Sequence, residues 1–390
     1  MNKWEEKRFS DIATIVMGQS PASSSYNEIG EGIPFLQGNR TFRIRYPEID
    51  MYTTEPKKIA HKNSILMSVR APVGDINFAP EDLCIGRGLC AIESKVGSND
   101  FLVYLLKYNI PRLKSAENGT TFSAVNGDDI RNLKIRVPSY EEQECIANIL
   151  STYDYMIETN NQRIELLEQA AQELYKEWFV RFRFPGYETV KFENGLPEGW
   201  KVKRMNEFCY VTDGTHDTPK PVNVGVPLIT GRCISNGFVD FSVAYNISEA
   251  DHEKIKKRSG LKSGDIIFSN IGTVGNCCVV DYDREFSVKN VIIFKPETMR
   301  DTAYLYYWMT SSTMQEIFAA QTNGASQQFV GLTFVRRYKL LLPNEDILEA
   351  FANNVLPIIE QKRLLHQNNL NLSAQRDLLL PRLMSGKLEV

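Results

Sequence analysis

The stretch Leu196–Phe208, LPEGWKVKRMNEF, lies in the middle of the chain yet reads as a beginning. The N-terminal stretch Met1–Ile12, MNKWEEKRFSDI, has the same form: a Trp, several charges that include Lys and Arg, then an apolar residue opening an ordered segment. Further echoes follow in order. GIPFLQGN (Gly32–Asn39) returns as GVPLITGR (Gly225–Arg232), and NSILMSVRAPVGD (Asn63–Asp75) returns as GDIIFSNIGTVGN (Gly264–Asn276). The latter pair shares Ser68 with Ser269 and Val73-Gly74 with Val274-Gly275. DFLVYLLKY (Asp100–Tyr108) answers DTAYLYYWM (Asp301–Met309), and NGTTF (Asn118–Phe122) answers NGASQ (Asn323–Gln327). Each series then reaches a Pro, Pro138 or Pro343, and a long polar-apolar stretch. Such self-similarity precedes any other fold decision. The chain is a tandem duplication of a lobe followed by a helix.

At 390 residues the chain suits two or three domains, each large enough to bury a core. Its 43% hydrophobic and 24% charged residues are ordinary for a soluble globular protein. There is no apolar run of about 18 residues and no signal-peptide pattern, so the expectation is a cytoplasmic protein with no membrane association. The seven Cys include no C-x-x-C pair and are expected to be reduced thiols in cores. Cys277 and Cys278 should face opposite sides of a strand.

Within each lobe, short apolar runs such as IPFLQG, NSILMSV, VPLITG, DIIFSN and KNVIIF are bounded by Gly, Pro and Asn. Their length and residue types suit strands. One helix per lobe is expected, from Asp100 to about Ser115 and from Asp301 to about Ala320. The lobes are therefore mixed α/β with loop-rich connections.

The stretch after each lobe differs in kind. From Glu141 to Phe179 there is no Gly or Pro, and Ile146, Leu150, Tyr153, Ile157, Asn160, Ile164, Leu167, Ala171, Leu174 and Trp178 alternate spacings of four and three. A heptad seam of this length predicts a long helix that needs a partner helix. In the second copy Leu365, Leu372 and Leu379 are seven apart, and Pro357 should kink or restart the helix near its entry. Each helix is the obvious partner of the other; the alternative is two amphipathic helices lying on their own lobes. Asn160 could fix the register of the seam or be a tolerated polar residue.

Two similar lobes held by paired helices make a pseudo-twofold object, which suits a pseudo-twofold ligand such as duplex DNA with two half-sites. The net charge of −3 and pI near 6.0 argue against DNA at first sight. The distribution reverses that, because residues 141–180 hold nine acids and two bases, residues 344–390 hold six acids and five bases, and the rest is net positive by five. A positive pair of lobes on an acidic stalk attracts phosphates locally. Side chains able to make directed bonds at groove edges are candidate readers. In the first lobe these are Gln19, Gln37, Asn39, Arg40, Arg43, Arg45, Arg70 and Arg87. In the second they are the stretch DGTHDTPK (Asp213–Lys220), with Thr215, His216 and Lys220, then Arg232, Asn270, Lys289, Asn290, Gln327 and Gln328. Each could equally bind a phosphate, a neighbouring carboxylate or water. His216 has no partner spacing that supports catalysis.

Motifs for nucleotide, zinc-protease, serine-hydrolase and dinucleotide chemistry are missing from the sequence, and IGTVGN (Ile271–Asn276) reads as a tight turn. Nothing demands an enzyme, a metal or a cofactor.

At this point the residues carry a resemblance. SVRAPVGD followed by CIGRGLCAIES, NGTTFSAVNGDDIRNLKIRVP, EEQECIANILSTYD, LPEGWKVKRM, DGTHDTP and the closing LLLPRLMSGKL are similar to the specificity subunits of type I restriction-modification systems, nearly end to end and twice over. The resemblance implies two target recognition domains, at residues 1–140 and 190–343, each reading one half of a split sequence in double-stranded DNA. It implies two long antiparallel spacer helices, about 141–180 and 344–386, within segments 141–189 and 344–390. It further implies no catalytic activity, docking of two methyltransferase subunits on the helical region, and association of translocase-nuclease subunits. One departure is visible: Ile271 stands where the first lobe has Arg70. Two other classes stay open, an enzyme of unfamiliar type and an assembly scaffold whose lobes bind protein instead of DNA.

Overall fold

The computed structural model describes residues 4–43, 45–115, 124–322 and 329–390. NGTTF and NGASQ, with Gln327 and Gln328, lie outside the described residues. The chain divides into two compact units, Met1–Gln162 with Leu365–Val390, and Arg163–Leu364.

In the first unit the strands Ala13–Met17, Leu89–Ser94, Ile65–Ser68 and Ile76–Phe78 form a four-stranded antiparallel sheet in that order. Side chains alternate faces along a strand. Ile65, Met67, Cys90 and Ile92 accordingly enter one core with Phe101, Leu102 and Leu105 of the helix Asn99–Ser115, while Leu66, Leu89 and Ala91 enter another with Leu36, Leu83 and Ile85. The second core is roofed by another sheet, of five short strands, in which Ile33–Leu36 runs parallel to Leu83–Ile85. The unit closes where its first strand, Glu5–Arg8, pairs with Lys134–Val137.

The second unit repeats this plan. Its sheet order is Tyr210–Asp213, Ile292–Lys295, Ile266–Phe268, Cys277–Val279; Val226–Ile229 runs parallel to Ser287–Val288; and Lys201–Arg204 pairs with Lys339–Leu342. The alternation recurs too, since Cys277 lies in one buried cluster and Cys278 in another. The short helices Phe9–Ile12 and Met205–Phe208 open both units in the same way, with an acid, Asp11 or Glu207, accepting from the N–H of Arg8 or Arg204.

The structure corrects the expected local features in four places. The second lobe holds a further helix, Glu249–Ser259, beyond the one expected, with Ser248 capping it by accepting from the Asp251 N–H. The helix predicted from Asp301 to about Ala320 is two helices, Met299–Thr310 and Ser312–Thr322, because Ser311 leaves the helical conformation and its Oγ bonds to the Trp308 carbonyl. Cys145 is exposed, since its helical position points away from Ile146 and Leu150. The second long helix, Glu345–Met384, continues through Pro357 instead of restarting there; Phe351 and Val355, fully buried just before it, hold that stretch in the core.

The first long helix runs Tyr140–Tyr175 and ends in a π-turn, Lys176–Val180. In the first unit Ile146, Leu150 and Ile157 are buried, as are Leu365, Leu372, Leu383 and Met384 of the second helix, and Leu379 is half-buried. Asn160 is buried in this seam and its amide donates to Asn369 Oδ1 at 2.8 Å, while Asn369 donates to Asn161 Oδ1 at 2.9 Å. Closer to the lobe, Asp154 pairs with Arg376, accepts from the Tyr104 hydroxyl at 2.7 Å and lies 3.7 Å from Lys107 Nζ. In the second unit Ile164 is buried, Leu167 and Leu174 are half-buried, and the buried stripe passes to Ala171, Tyr175, Trp178 and Phe179, which pack with Phe351. There Lys362, itself buried, pairs with Glu168. Within each unit, partners that advance along the first helix retreat along the second. The helix segments are antiparallel.

Burial would raise the Asp154 carboxyl, but Lys107, the Tyr104 hydroxyl and Arg376 outweigh it and hold the group below the usual carboxylate range. A depressed native pKa adds stability that is complete above the unfolded value near ~4 and is lost as pH falls through the native one. The expected outcome is a chain that loses stability below about pH 4, and an Asp154→Asn variant that is weaker at neutral pH by about 1–3 kcal/mol with a flatter acid limb. Denaturation midpoints measured against pH check this. Equal acid slopes in both proteins would contradict it.

Candidate nucleic-acid interface

Gln19, Gln37, Asn39, Arg70 and Arg87 gather where sheet strands end, whereas Arg40, Arg43 and Arg45 lie in the loop between Leu36 and Tyr52 and Lys220 in that between Asp213 and Val226. In the first unit Ala13–Met17 runs out into Gly18-Gln19-Ser20, Ile33–Leu36 into Gln37-Gly38-Asn39, Ile65–Ser68 into Val69-Arg70, and Leu83–Ile85 into Gly86-Arg87-Gly88. Backbone bonds knit these ends into one rim: Gly18 N–H to Leu89 O, Gln19 N–H to Ile85 O, Gly86 N–H to Leu36 O, Gly88 N–H to Gln37 O and Val69 N–H to Gly88 O, all 2.8–3.2 Å. The Ser20 hydroxyl joins two of the ends, accepting from the Arg87 N–H at 3.2 Å and donating to Gln37 Oε1 at 3.1 Å. Three glycines permit the approach. A Cβ at Gly18 would lie 2.1 Å from Gly86 O, one at Gly86 2.9 Å from the Gln37 Cα, and one at Gly88 2.7 Å from Gln37 O.

The second unit has the same rim with different side chains. Gly214 N–H bonds Val291 O, Thr215 N–H bonds Val288 O and Lys289 N–H bonds Ile229 O, at 2.8–3.0 Å. Thr215 therefore stands at the place of Gln19, His216 at that of Ser20, Thr230 at that of Gln37, Arg232 at that of Asn39 and Ile271 at that of Arg70. The three residues Gly86-Arg87-Gly88 become two, Lys289-Asn290, and Asn290 takes a left-handed φ of 52°. Arg70 and Ile271 occupy matching bridges, to Ala124 and Phe329.

Electrostatics sort the candidates further. Arg40 pairs with Asp50 at 2.5 Å, Arg43 with Glu48, and Asn39 donates to Asp75 at 2.5 Å. Arg45 is half-buried, 3.3 Å from Asp100, with its guanidinium over the rings of Phe78 and Tyr155. Gln19, Arg70 and Arg87 are exposed, and their side chains have no partner among the described residues. In the second unit Lys220 and Arg232 are exposed and likewise unpaired, while Lys289 Nζ donates to Thr218 at 2.6 Å. Thr215 and Asn270 are buried; Asn270 donates to the Val330 carbonyl at 3.1 Å, and its tie to a segment 60 residues away explains why the sequence alone offered it as a reader. Neither buried side chain presents an edge to a ligand in this conformation.

His216 belongs to a network that spacing did not reveal. Its Nε2 lies 2.8 Å from Asp213 Oδ2 and its Nδ1 3.0 Å from Asn290 Oδ1, and Arg258 donates to Asp213 Oδ1 at 2.7 Å. Burial would raise the Asp213 carboxyl; the bonds from His216 and Arg258 override it and hold the group low. Arg258 was missed because it sits in Glu249–Ser259, a helix whose last turn is basic and reads as ordinary dipole complementation. The His216–Asn290 bond links the same two strand ends that Ser20 and Arg87 link in the first unit.

A duplicated sheet-and-helix unit that keeps its rim backbone and varies the rim side chains defines a class of paired recognition modules. The model for the type I restriction modification DNA specificity domain matches residues 1–169 and again 197–364, and the chain belongs to that family. It is 45% identical over 162 residues to the putative type I restriction enzyme MjaX specificity subunit of Methanocaldococcus jannaschii, a match that takes in 41% of this chain and 38% of that relative. With the MjaIX specificity subunit of the same organism it shares 26% identity over 99% of this chain and 94% of the relative. The crystal structure of a type I restriction-modification S subunit from M. genitalium aligns with a TM-score of 0.59 at 16% identity, covering 98% of this chain and 96% of that one, which shows a common fold. Among the described residues no helix is long and apolar enough to cross a membrane.

The glycine contacts at the rim make a direct prediction. Gly18→Ala should destabilise the first unit by about 1–3 kcal/mol, the usual cost of overpacking, and speed amide exchange at Gln19 and Gly88. Gly38→Ala, with open space around its Cβ, should be tolerated. Denaturation and hydrogen exchange on both variants test this, and equal behaviour would remove the close-packed rim as an explanation.

Proposed function

We propose that the chain is the DNA-reading subunit of a type I restriction-modification complex, with no catalysis and no cofactor of its own. The observation that carries this reading is the rim: one backbone scaffold occurs in both units, and its outward side chains differ. Backbone conservation with side-chain divergence is what two readers of different half-sites require, because base edges are discriminated by side-chain donors and acceptors. Residues 1–140 and 190–343 are the reading domains, and residues 141–189 and 344–390 are the spacer. Gln19, Arg70 and Arg87 face the first half-site; His216, Lys220, Arg232 and Lys289 face the second. Asn39, Arg40 and Arg43 take part only if duplex phosphates displace their own carboxylates.

The acidic helices are the docking surface for two methyltransferase subunits, which translocase-nuclease subunits join. The lobes' small positive charge neutralises few phosphates unaided, so the lone chain binds duplex weakly and the complex binds it tightly. A scaffold that only binds protein would give a complex with no salt-dependent shift of duplex DNA.

Two outcomes are expected of the reconstituted complex. Exchange of residues 1–140 for the matching lobe of a relative should change one half-site and leave the other, read by mapping modified bases in host DNA; a change in both halves would sink the modular reading. The first helix, 36 residues long, spans about 54 Å at about 1.5 Å per residue, enough to set reading heads about one DNA turn, roughly 34 Å, apart. One heptad added to each long helix keeps the apolar stripe in phase and should lengthen the unread gap while both half-sites persist. Two added residues would rotate the stripe by roughly 200° and should abolish assembly. An unchanged gap in a folded heptad variant would leave the helices as docking surface only.

A further inference from the structure

We infer that Arg87 reads a guanine of the first half-site through the two parallel N–H donors of its guanidinium, and that Arg40, Arg43 and Arg45 read no base. This inference rests on the functional reading above and narrows it to one side chain and one base.

Three observations lead there. Arg87 is exposed with no side-chain partner among the described residues, whereas Arg40, Arg43 and Arg45 are held by Asp50, Glu48 and Asp100. A guanidinium already bonded to its own carboxylate has part of its charge and donor set engaged and is aimed by that bond, whereas the whole fork of Arg87 is available. Arg87 also stands on the most constrained backbone of the rim. It is flanked by Gly86 and Gly88, neither of which has room for a Cβ against Gln37, and its own N–H is fixed by Ser20. A rigid base lowers the ordering cost of a directed contact and fixes where the fork points. Lastly, Gln19, Gln37 and Ser20 on the adjoining strand ends are neutral amides and a hydroxyl, side chains suited to directed hydrogen bonds.

The base follows from donor geometry. Arg offers donors only, in a fixed fork. In the major groove guanine alone sets two acceptors, O6 and N7, side by side on one base. The second unit has no guanidinium at the matching place, where Lys289-Asn290 replaces Gly86-Arg87-Gly88, Lys289 is bonded to Thr218 and the Asn290 oxygen faces His216. Guanine reading from this position is a property of the first unit.

The test uses the full chain in complex with its methyltransferase subunits, with Arg87→Ala, Arg87→Lys and Arg40→Ala variants, and maps modified sites in genomic DNA. Arg87→Ala should lose discrimination at one guanine of the first half-site by about five- to 150-fold, the range of a bidentate pair, and keep the second half-site, and Arg87→Lys should lose less. Wild-type complex on a duplex with 7-deazaguanine at that position should show a comparable loss. Arg40→Ala should keep the whole motif. Retention of the motif by Arg87→Ala or loss at a base other than guanine would overturn the assignment, as would a uniform weakening with a shallower salt dependence, which would make Arg87 a phosphate contact. Absence of any split motif in wild type would overturn the functional reading itself, a result distinct from those.

Discussion

The polar groups buried in the helix seam constrain the rest of this molecule. An apolar stripe alone would let two helices slide past each other by a heptad with little change in buried area. Asn160 and Asn369 prevent that, since each amide is buried and each finds its partner in one register only. A buried amide left unpaired costs about 1–3 kcal/mol, and a seam Asn that fixes register at some cost in stability is the best attested use of such a residue. The second unit uses a different device, the buried Lys362 with Glu168. Each unit therefore fixes its own helix segments with its own chemistry.

From that constraint the lobes follow. In each unit an antiparallel pair, Glu5–Arg8 with Lys134–Val137 or Lys201–Arg204 with Lys339–Leu342, brings the chain to the start of a long helix, and residues of that helix complete the lobe's core: Ile146, Ala147 and Leu150 in the first, Phe351, Ala352 and Val355 in the second. The central sheet is then covered on both faces, by helices on one and by the second sheet on the other. Antiparallel sheets usually leave one face to water and show alternating polarity. Here Ile65–Ser68 is buried at every position, as is Ile266–Phe268. That is why those strands appear in the sequence as unbroken apolar runs.

The duplication, the strand-rich lobes, the heptad stripe and the opposed faces of Cys277 and Cys278 were legible in the sequence because each is a local pattern or a comparison of two local patterns. What stayed hidden depends on tertiary neighbours. Arg40 and Arg43 look as free as Arg87 until their side chains are seen on Asp50 and Glu48, and Arg45 until Asp100 and Tyr155 are seen around it. Asn270 has the composition of a reader and the environment of a core amide. The break at Ser311 and the continuity through Pro357 have different causes. Local preference set the first, where Ser311 bonds its own helix end, and packing of Phe351 and Val355 overrode it in the second.

The rim shows how one scaffold can diverge without losing its fold. The bonds that recur at matching places in both units join the strand ends through main-chain N–H and C=O groups, so they survive a change of side chain at these positions. Gln19 can become Thr215, Asn39 can become Arg232 and Arg70 can become Ile271 while the main-chain bonds remain. Even the loss of one residue from the Gly86-Arg87-Gly88 turn is absorbed locally, by the left-handed Asn290, a conformation that Asn tolerates better than most residues. Ser20 and His216, different in size and chemistry, still tie the same two strand ends together. Stability resides in the sheets, the glycine contacts and the seam, and what the rim presents to its ligand is free to change independently in each copy.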